Sequence, residues 1–322
     1  MSSMREDDQQ KLILNAIRHA EAFAREDDAL FVKVLREKFF AERSPKTRGT
    51  RTATRTLTPR ADPGLQIYQD PRFIRNAREL ARRTEKRMRI IGGTTVKGAE
   101  FPDCVAVGSD DQWFCSGTLI GKNTVLTACH CDCSRPTRVY FGNNVDERGE
   151  IVNVSKRVPH PDYLKGKNND LMVLVLESDV RTVAPRAIAP GALIDAATDA
   201  RVVGFGNTEP SGFFGYGIKR QTDVPIASSC CKGSVNGKDD QTVYGCDPDF
   251  ELIAGKPLLV KDTCNGDSGG PLYLSDGIGK WFLAGATSRA TKAAINNCGD
   301  GGVYVRVDRY LDWIKDIPGV SL

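Results

Sequence analysis

"TCNGDSGGPLY", residues 263–273, sets one serine between an acid and a pair of glycines. Glycine carries no Cβ, so the chain can turn tightly there and leave the Ser268 hydroxyl unshielded. The same turn lets the backbone N–H groups of Gly266 and Ser268 converge on one point. A carbonyl oxygen becoming an oxyanion would be held there, and losing one such donor typically costs about 10²–10³ in rate. The competing reading is a glycine-rich hairpin turn with an incidental serine. Partners elsewhere in the chain decide between the two.

A serine hydroxyl is a poor nucleophile until a base takes its proton. Residues 90–322 contain two histidines, His130 and His160. His130 follows the apolar run in "VLTACHCDC", which reads as a strand, so its backbone is held; His160 sits in the proline-bracketed loop "VPHPDYLKG". His130 is therefore the expected base. A carboxylate must then fix the imidazole tautomer. "NNDLMVLVLE" puts Asp170 at the mouth of the most apolar run in the chain, where an acid is poorly solvated and has to pair or accept hydrogen bonds. The alternative for Asp170 is an ordinary strand cap.

Around these residues the texture is β-rich. Runs such as "TLIGKNTVLTA", "RVYFGNN", "ARVVGFG", "PLYLS", "KWFLAGAT" and "GGVYVRV" alternate with Gly, Asn, Asp and Pro, which argues for an all-β barrel or sandwich closed by one helix, "DRYLDWIKDI" (308–317). Ahead of it, residues 7–39 carry two amphipathic stripes that predict a helical hairpin within 1–42. Residues 43–89 hold 14 Lys and Arg against 4 Asp and Glu, while residues 90–322 hold 24 against 28. A basic connector, predicted to be partly disordered, thus joins a mildly acidic body, and the sign changes at Arg89. The connector lacks aromatic interleaving or a nucleic-acid motif, so a protease-sensitive tether is expected rather than a nucleic-acid arm. "RMRIIGG" (87–93) invites cleavage after Arg89, which would make Ile90 a new terminus.

Taken together, "IIGG", "TACHC", "HPDY", "NNDLMVL", "CNGDSGGPL" and "GGVYVRV" resemble the trypsin-like serine peptidases of the chymotrypsin fold, over residues 90–322 and in that family's order of His, Asp and Ser. The resemblance implies two six-stranded antiparallel β-barrels with the site between them, a C-terminal helix, and hydrolysis of polypeptides by His130, Asp170 and Ser268 with no cofactor. It implies a zymogen in which the Ile90 ammonium pairs with Asp267. Asp262 would lie at the floor of the primary pocket and select Arg or Lys, with Ser288 and Gly302 also lining the substrate site. It implies the disulfides Cys115–Cys131, Cys231–Cys246 and Cys264–Cys298, leaving Cys104, Cys129, Cys133 and Cys230 unassigned. Arg289 stands where the family usually has Trp, and Ala290 where it usually has Gly; a cation there would favour acidic residues upstream of the cleaved bond. The alternative to an active peptidase is a weak or inactive homologue acting as a binding or regulatory module.

The remaining expectations concern context. All ten cysteines lie between 104 and 298, scattered as in a disulfide framework, which suggests an extracellular setting. "MSSMREDDQQK" has charge where a signal peptide needs an apolar core, which suggests a cytoplasmic one. No run approaches the roughly 18 apolar residues of a membrane helix. "CHCDC" is not expected to bind metal, because an extended chain would point Cys129, Cys131 and Cys133 one way and His130 the other. The N-terminal helices serve either as an adaptor for a protein partner or as a pro-segment.

Overall fold

The computed structural model describes residues 93–322 apart from 111, 164–167, 209–214, 256–262 and 295–297. The helical hairpin, the basic connector, Arg89, Ile90 and Asp262 lie outside the described residues.

The described chain forms two closed antiparallel barrels. The first contains β2 (Cys104–Gly108), β3 (Trp113–Gly121), β4 (Thr124–Thr127), β5 (Arg138–Phe141), β6 (Glu150–Pro159) and β7 (Met172–Leu176), in the order β2-β3-β4-β7-β6-β5. The second contains β8 (Asp199–Gly204), β9 (Arg220–Ser228), β12 (Glu251–Ala254), β13 (Pro271–Ser275), β14 (Trp281–Ala290) and β15 (Gly302–Arg306), in the order β9-β12-β15-β14-β13-β8 and closed by β8 on β9. The short β1 (Thr94–Thr95) adds to β9, and β10 (Ser234–Val235) pairs with β11 (Lys238–Asp239). Helices are brief: α1 (Gly191–Asp195), α2 (Asp240–Tyr244) and α3 (Leu311–Lys315), the last entered through a 3-10 turn at Val307–Tyr310. The predicted terminal helix is therefore shorter than 308–317 and only partly α.

Strand side chains alternate between faces, and here both faces of several strands are buried. On β7, Met172, Leu174 and Leu176 fill the interior of the first barrel, while Val173 and Val175 join a second core shared with Val203, Phe205, Tyr273 and Val305 of the other barrel. "MVLVL" is continuously apolar because it serves two cores at once. "CVAVG" of β2 splits the same way, Val105 and Val107 inward, Cys104 and Ala106 toward the neighbouring barrel. A third core, including Val202, Val224, Leu252, Leu272 and Tyr304, fills the second barrel. Each such Val or Leu is worth about 1.5–3 kcal/mol of burial.

The two barrels are also tied by the residues after α3. Asn123 Nδ2 donates to the Gly319 carbonyl at 2.9 Å, and Ser321 N–H to Thr124 Oγ1 at 3.4 Å. The backbone crosses so closely at Gly121 that an added Cβ would overlap the Ser321 carbonyl.

Candidate active site

Ser268 sits on the turn leading into β13, and that turn is laid on the first barrel. The N–H of Ser116 on β3 donates to the Ser268 carbonyl at 2.9 Å. Gly269, at φ +75°, is pressed against Thr127, Ala128 and Ser116, so a side chain there would meet backbone. Gly269 N–H donates to the Thr287 carbonyl at 2.8 Å and Gly270 N–H to the Asp267 carbonyl at 2.7 Å, which fixes the turn ahead of β13 against β14. Gly266 also needs positive φ, +96°, with the Tyr216 ring against its open face. Among the described residues, the N–H groups of Gly266 and Ser268 have no hydrogen-bond partner. Two donors on one turn are left for something else.

His130 lies just past β4 in a 3-10 helix, Cys129–Ser134. The extended geometry expected for "CHCDC" is therefore wrong: the backbone coils there because Cys131 is bonded to Cys115 and its N–H donates to Ala128. The Cys131 sulfur lies 3.8 Å from the Ser268 carbonyl oxygen, which sets the serine turn beside the histidine segment. Cys115, His130 and Cys131 place potential ligand atoms within 4.8 Å of one another, but both sulfurs are used in their mutual bond.

Asp170 is 5% exposed and receives three donors. His130 N–H reaches Oδ1 at 2.9 Å, His130 Nδ1 lies 2.8 Å from Oδ2, and Ser288 Oγ donates to Oδ2 at 2.6 Å. Burial pushes this carboxyl up, but the hydrogen bonds and charge of His130, with the Ser288 bond, outweigh it and hold Asp170 below the ordinary carboxylate value. An ionised carboxylate only accepts, so Nδ1 carries the proton and Nε2 keeps its lone pair. The Ser268 hydroxyl and His130 are not hydrogen-bonded to each other in this state, a separation common before substrate binds.

Asp267 is 1% exposed, with Gly206 N–H on Oδ1 at 2.7 Å and Cys264 N–H on Oδ2 at 2.8 Å. A Cβ at Gly204 or Gly206 would overlap this carboxylate. Gly302 opens β15 opposite Ala254 and Ala290, where a Cβ would lie 3.0 Å from the Tyr304 ring. Ser288 faces the Asp170 carboxylate. The predicted pairs Cys115–Cys131, Cys231–Cys246 and Cys264–Cys298 are bonded, and Cys104, Cys129, Cys133 and Cys230 are thiols.

Arg289 departs from expectation. Its Nη1 and Nη2 bind Glu251 Oε1 and Oε2 at 2.7 and 2.8 Å, and Nη2 also donates to the Gly245 carbonyl at 2.8 Å. Glu251 is 1% exposed. The cation is thus compensated from inside the protein and is not left to attract an acidic substrate residue. Sequence reasoning missed Glu251 because β12 meets β14 only through the fold.

Residues 90–314 match the sequence model of the Trypsin family. The chain belongs to the trypsin family. It is similar to Serine protease 1 of Rattus norvegicus, 32% identical over 237 residues covering 71% of this chain and 89% of the relative. It is likewise similar to a trypsin of Saccharopolyspora erythraea, 34% identical over 70% of this chain and 97% of the relative, and to a trypsin of Sus scrofa, 31% identical over 70% and 94%. This trypsin-family chain is accordingly a serine endopeptidase acting on polypeptides.

Proposed function

We propose that the protein is the zymogen of an endopeptidase that cuts after Arg or Lys, with Ser268 as nucleophile, His130 as general base and acid, and Asp170 as the group that orients and stabilises the imidazole. The observation that carries this reading is the buried Asp170 carboxylate gripping His130 Nδ1 beside a serine turn whose Gly266 and Ser268 N–H groups are unengaged among the described residues.

The steps follow from that arrangement. Ser268 Oγ adds to the scissile carbonyl as its proton passes to His130 Nε2. The Asp170 charge stabilises the imidazolium formed, and the two N–H groups hold the oxyanion. Collapse of the adduct expels the amine, which takes the proton from His130 and leaves an acyl-serine. Water then repeats the sequence in reverse. Proton transfer of this kind typically contributes about 10²–10⁴ in rate, and each oxyanion donor about 10²–10³.

Asp262 is assigned to the pocket floor on the family resemblance, and cleavage between Arg89 and Ile90 to activation. The buried Asp267 carboxylate supports the second assignment, because an ammonium delivered there would meet a desolvated negative charge, one that accepts from Gly206 N–H on Oδ1 and Cys264 N–H on Oδ2. Arg89 itself matches the proposed preference, so self-activation fits the reading. A fluorophosphonate should label Ser268 only after the chain is trimmed at Arg89. Labelling of the untrimmed chain at the same rate, or of an Arg89→Gln variant exposed to the trimming enzyme, would remove the zymogen assignment. Asp262→Ser should abolish cleavage of Arg and Lys reporters while preserving that labelling.

A further inference from the structure

We propose that Ser116 is a positioning residue for the oxyanion site: its buried hydroxyl ties the Gly266 carbonyl to the Phe205 amide and so holds the Gly266 N–H on target. The inference rests on the proposed role of the Gly266 and Ser268 N–H groups.

Ser116 lies on β3 next to the Cys115–Cys131 bridge and is fully buried. Its Oγ is 2.9 Å from the Gly266 carbonyl and 3.1 Å from the Phe205 N–H. The amide can only donate, so the single hydroxyl proton is committed to Gly266. The backbone of the same residue donates to the Ser268 carbonyl at 2.9 Å, and its carbonyl accepts from Thr127 Oγ1 at 2.8 Å. One residue of the first barrel therefore grips the serine turn at the carbonyls of the two residues whose N–H groups are the proposed oxyanion donors.

The hold matters because residue 266 is glycine. With no Cβ, its two flanking peptide planes can rotate at little cost. The plane bearing the Gly266 N–H is fixed from one side, by Asn207 N–H on the Asn265 carbonyl at 2.8 Å. The following plane is held at its carbonyl by the Ser116 hydroxyl and at its N–H by the Cys264 carbonyl, 3.0 Å from Asp267 N. Phe205 and Asn207, the residues engaged by these two links, flank Gly206, whose N–H binds Asp267. Ser116 thereby couples the Asp267 cradle to the oxyanion donor. Without its hydroxyl, the Gly266–Asp267 plane keeps only the Asp267 N–H bond to the Cys264 carbonyl, and the buried Phe205 N–H loses its acceptor.

The test compares trimmed wild-type protein with Ser116→Ala and Ser116→Gly, with rates expressed per serine labelled by a fluorophosphonate so that unfolded molecules are not counted. On an Arg-containing peptide amide, both variants should lose about tenfold to a hundredfold in kcat, within the range for an oxyanion donor. KM and benzamidine binding should stay within about twofold, and inhibition by a peptide aldehyde should weaken in proportion to kcat. Unchanged kcat in both variants overturns the proposal. So does a loss in which KM and benzamidine affinity degrade in step with kcat, the mark of a residue that only supports the fold. If wild-type Ser268 cannot be labelled at all, the peptidase reading fails first and this inference falls with it.

Discussion

Arg289 and Glu251 form a bidentate ion pair beneath the rim of the active site, and Arg289 Nη1 also lies 3.2 Å from the Ser288 hydroxyl that binds Asp170. A line of polar contacts thus runs from the second barrel's wall to the carboxylate behind the histidine. Removing Arg289 leaves Glu251 buried and uncompensated. Arg289→Ala should cost about 3–5 kcal/mol at neutral pH. Burial raises the Glu251 pKa against the pull of Arg289. For an acid with a raised folded value, the penalty of ionisation is absent below the unfolded value and complete above the folded one. The deficit of Arg289→Ala should therefore shrink on acidification, and pairing it with Glu251→Met should restore most of the loss. Denaturant melts at pH 7 and pH 4.5 check both.

Asp170→Asn keeps the shape but presents an amide to His130 Nδ1, allowing the wrong tautomer. The expected loss in kcat is about 10⁴-fold with KM little changed. The Asp170 pKa is depressed in the folded protein, so its stabilisation is present above the unfolded carboxylate value and is lost as pH falls through the folded one. Wild type should destabilise over that acid range more steeply than Asp170→Asn.

Gly206→Ala would push a methyl group into the Asp267 carboxylate. Fluorophosphonate labelling of Ser268 should slow by at least about tenfold, because the bond from Gly206 N–H and the neighbouring links to the serine turn are disturbed together. Labelling at the wild-type rate would show that the Asp267 cradle is not coupled to the serine.

Lys219 is fully buried, its ammonium donating to the Phe101 carbonyl at 3.0 Å and lying 5.4 Å from the Phe205 ring centre. Burial lowers its pKa, against the opposing influence of Cys104 and Asp103. Between the folded value and the unfolded value of about 10.4 the unfolded chain binds more protons, so stability should rise with pH there. Lys219→Met should remove that slope in melts taken from neutral to alkaline pH.

Thiol labelling should follow burial. Cys133 is exposed and Cys230 half-buried, so iodoacetamide should modify them in the native protein. Cys129, pushed up to about 12 chiefly by burial and then by Asp170, and the buried Cys104 should react only after denaturation.

Much of this architecture could be read directly from residue patterns. β7, β13 and β15 announce themselves as apolar runs because two cores flank the strands. β6, "EIVNVSKRVP", and β9, "RQTDVPIAS", form no apolar run, since half the side chains of β6 and a third of those of β9 are exposed and Pro225 interrupts the β9 pattern. His130, Asp170 and Ser268 stood out because each sits at the end of a recognisable run. Ser116 and Glu251 did not: a serine on a strand and an acid before an apolar triplet acquire meaning only when residues 150 and 38 positions away are folded against them.

The seam at Gly121 has a practical consequence for handling the protein. Residues 319–321 act as a clasp from one lobe onto the other, seated on Asn123 and Thr124 with no room for even a methyl group beneath. A purification tag fused straight after Leu322 would lever on that clasp, whereas a flexible spacer would let the tag hang clear and leave the lobes fastened.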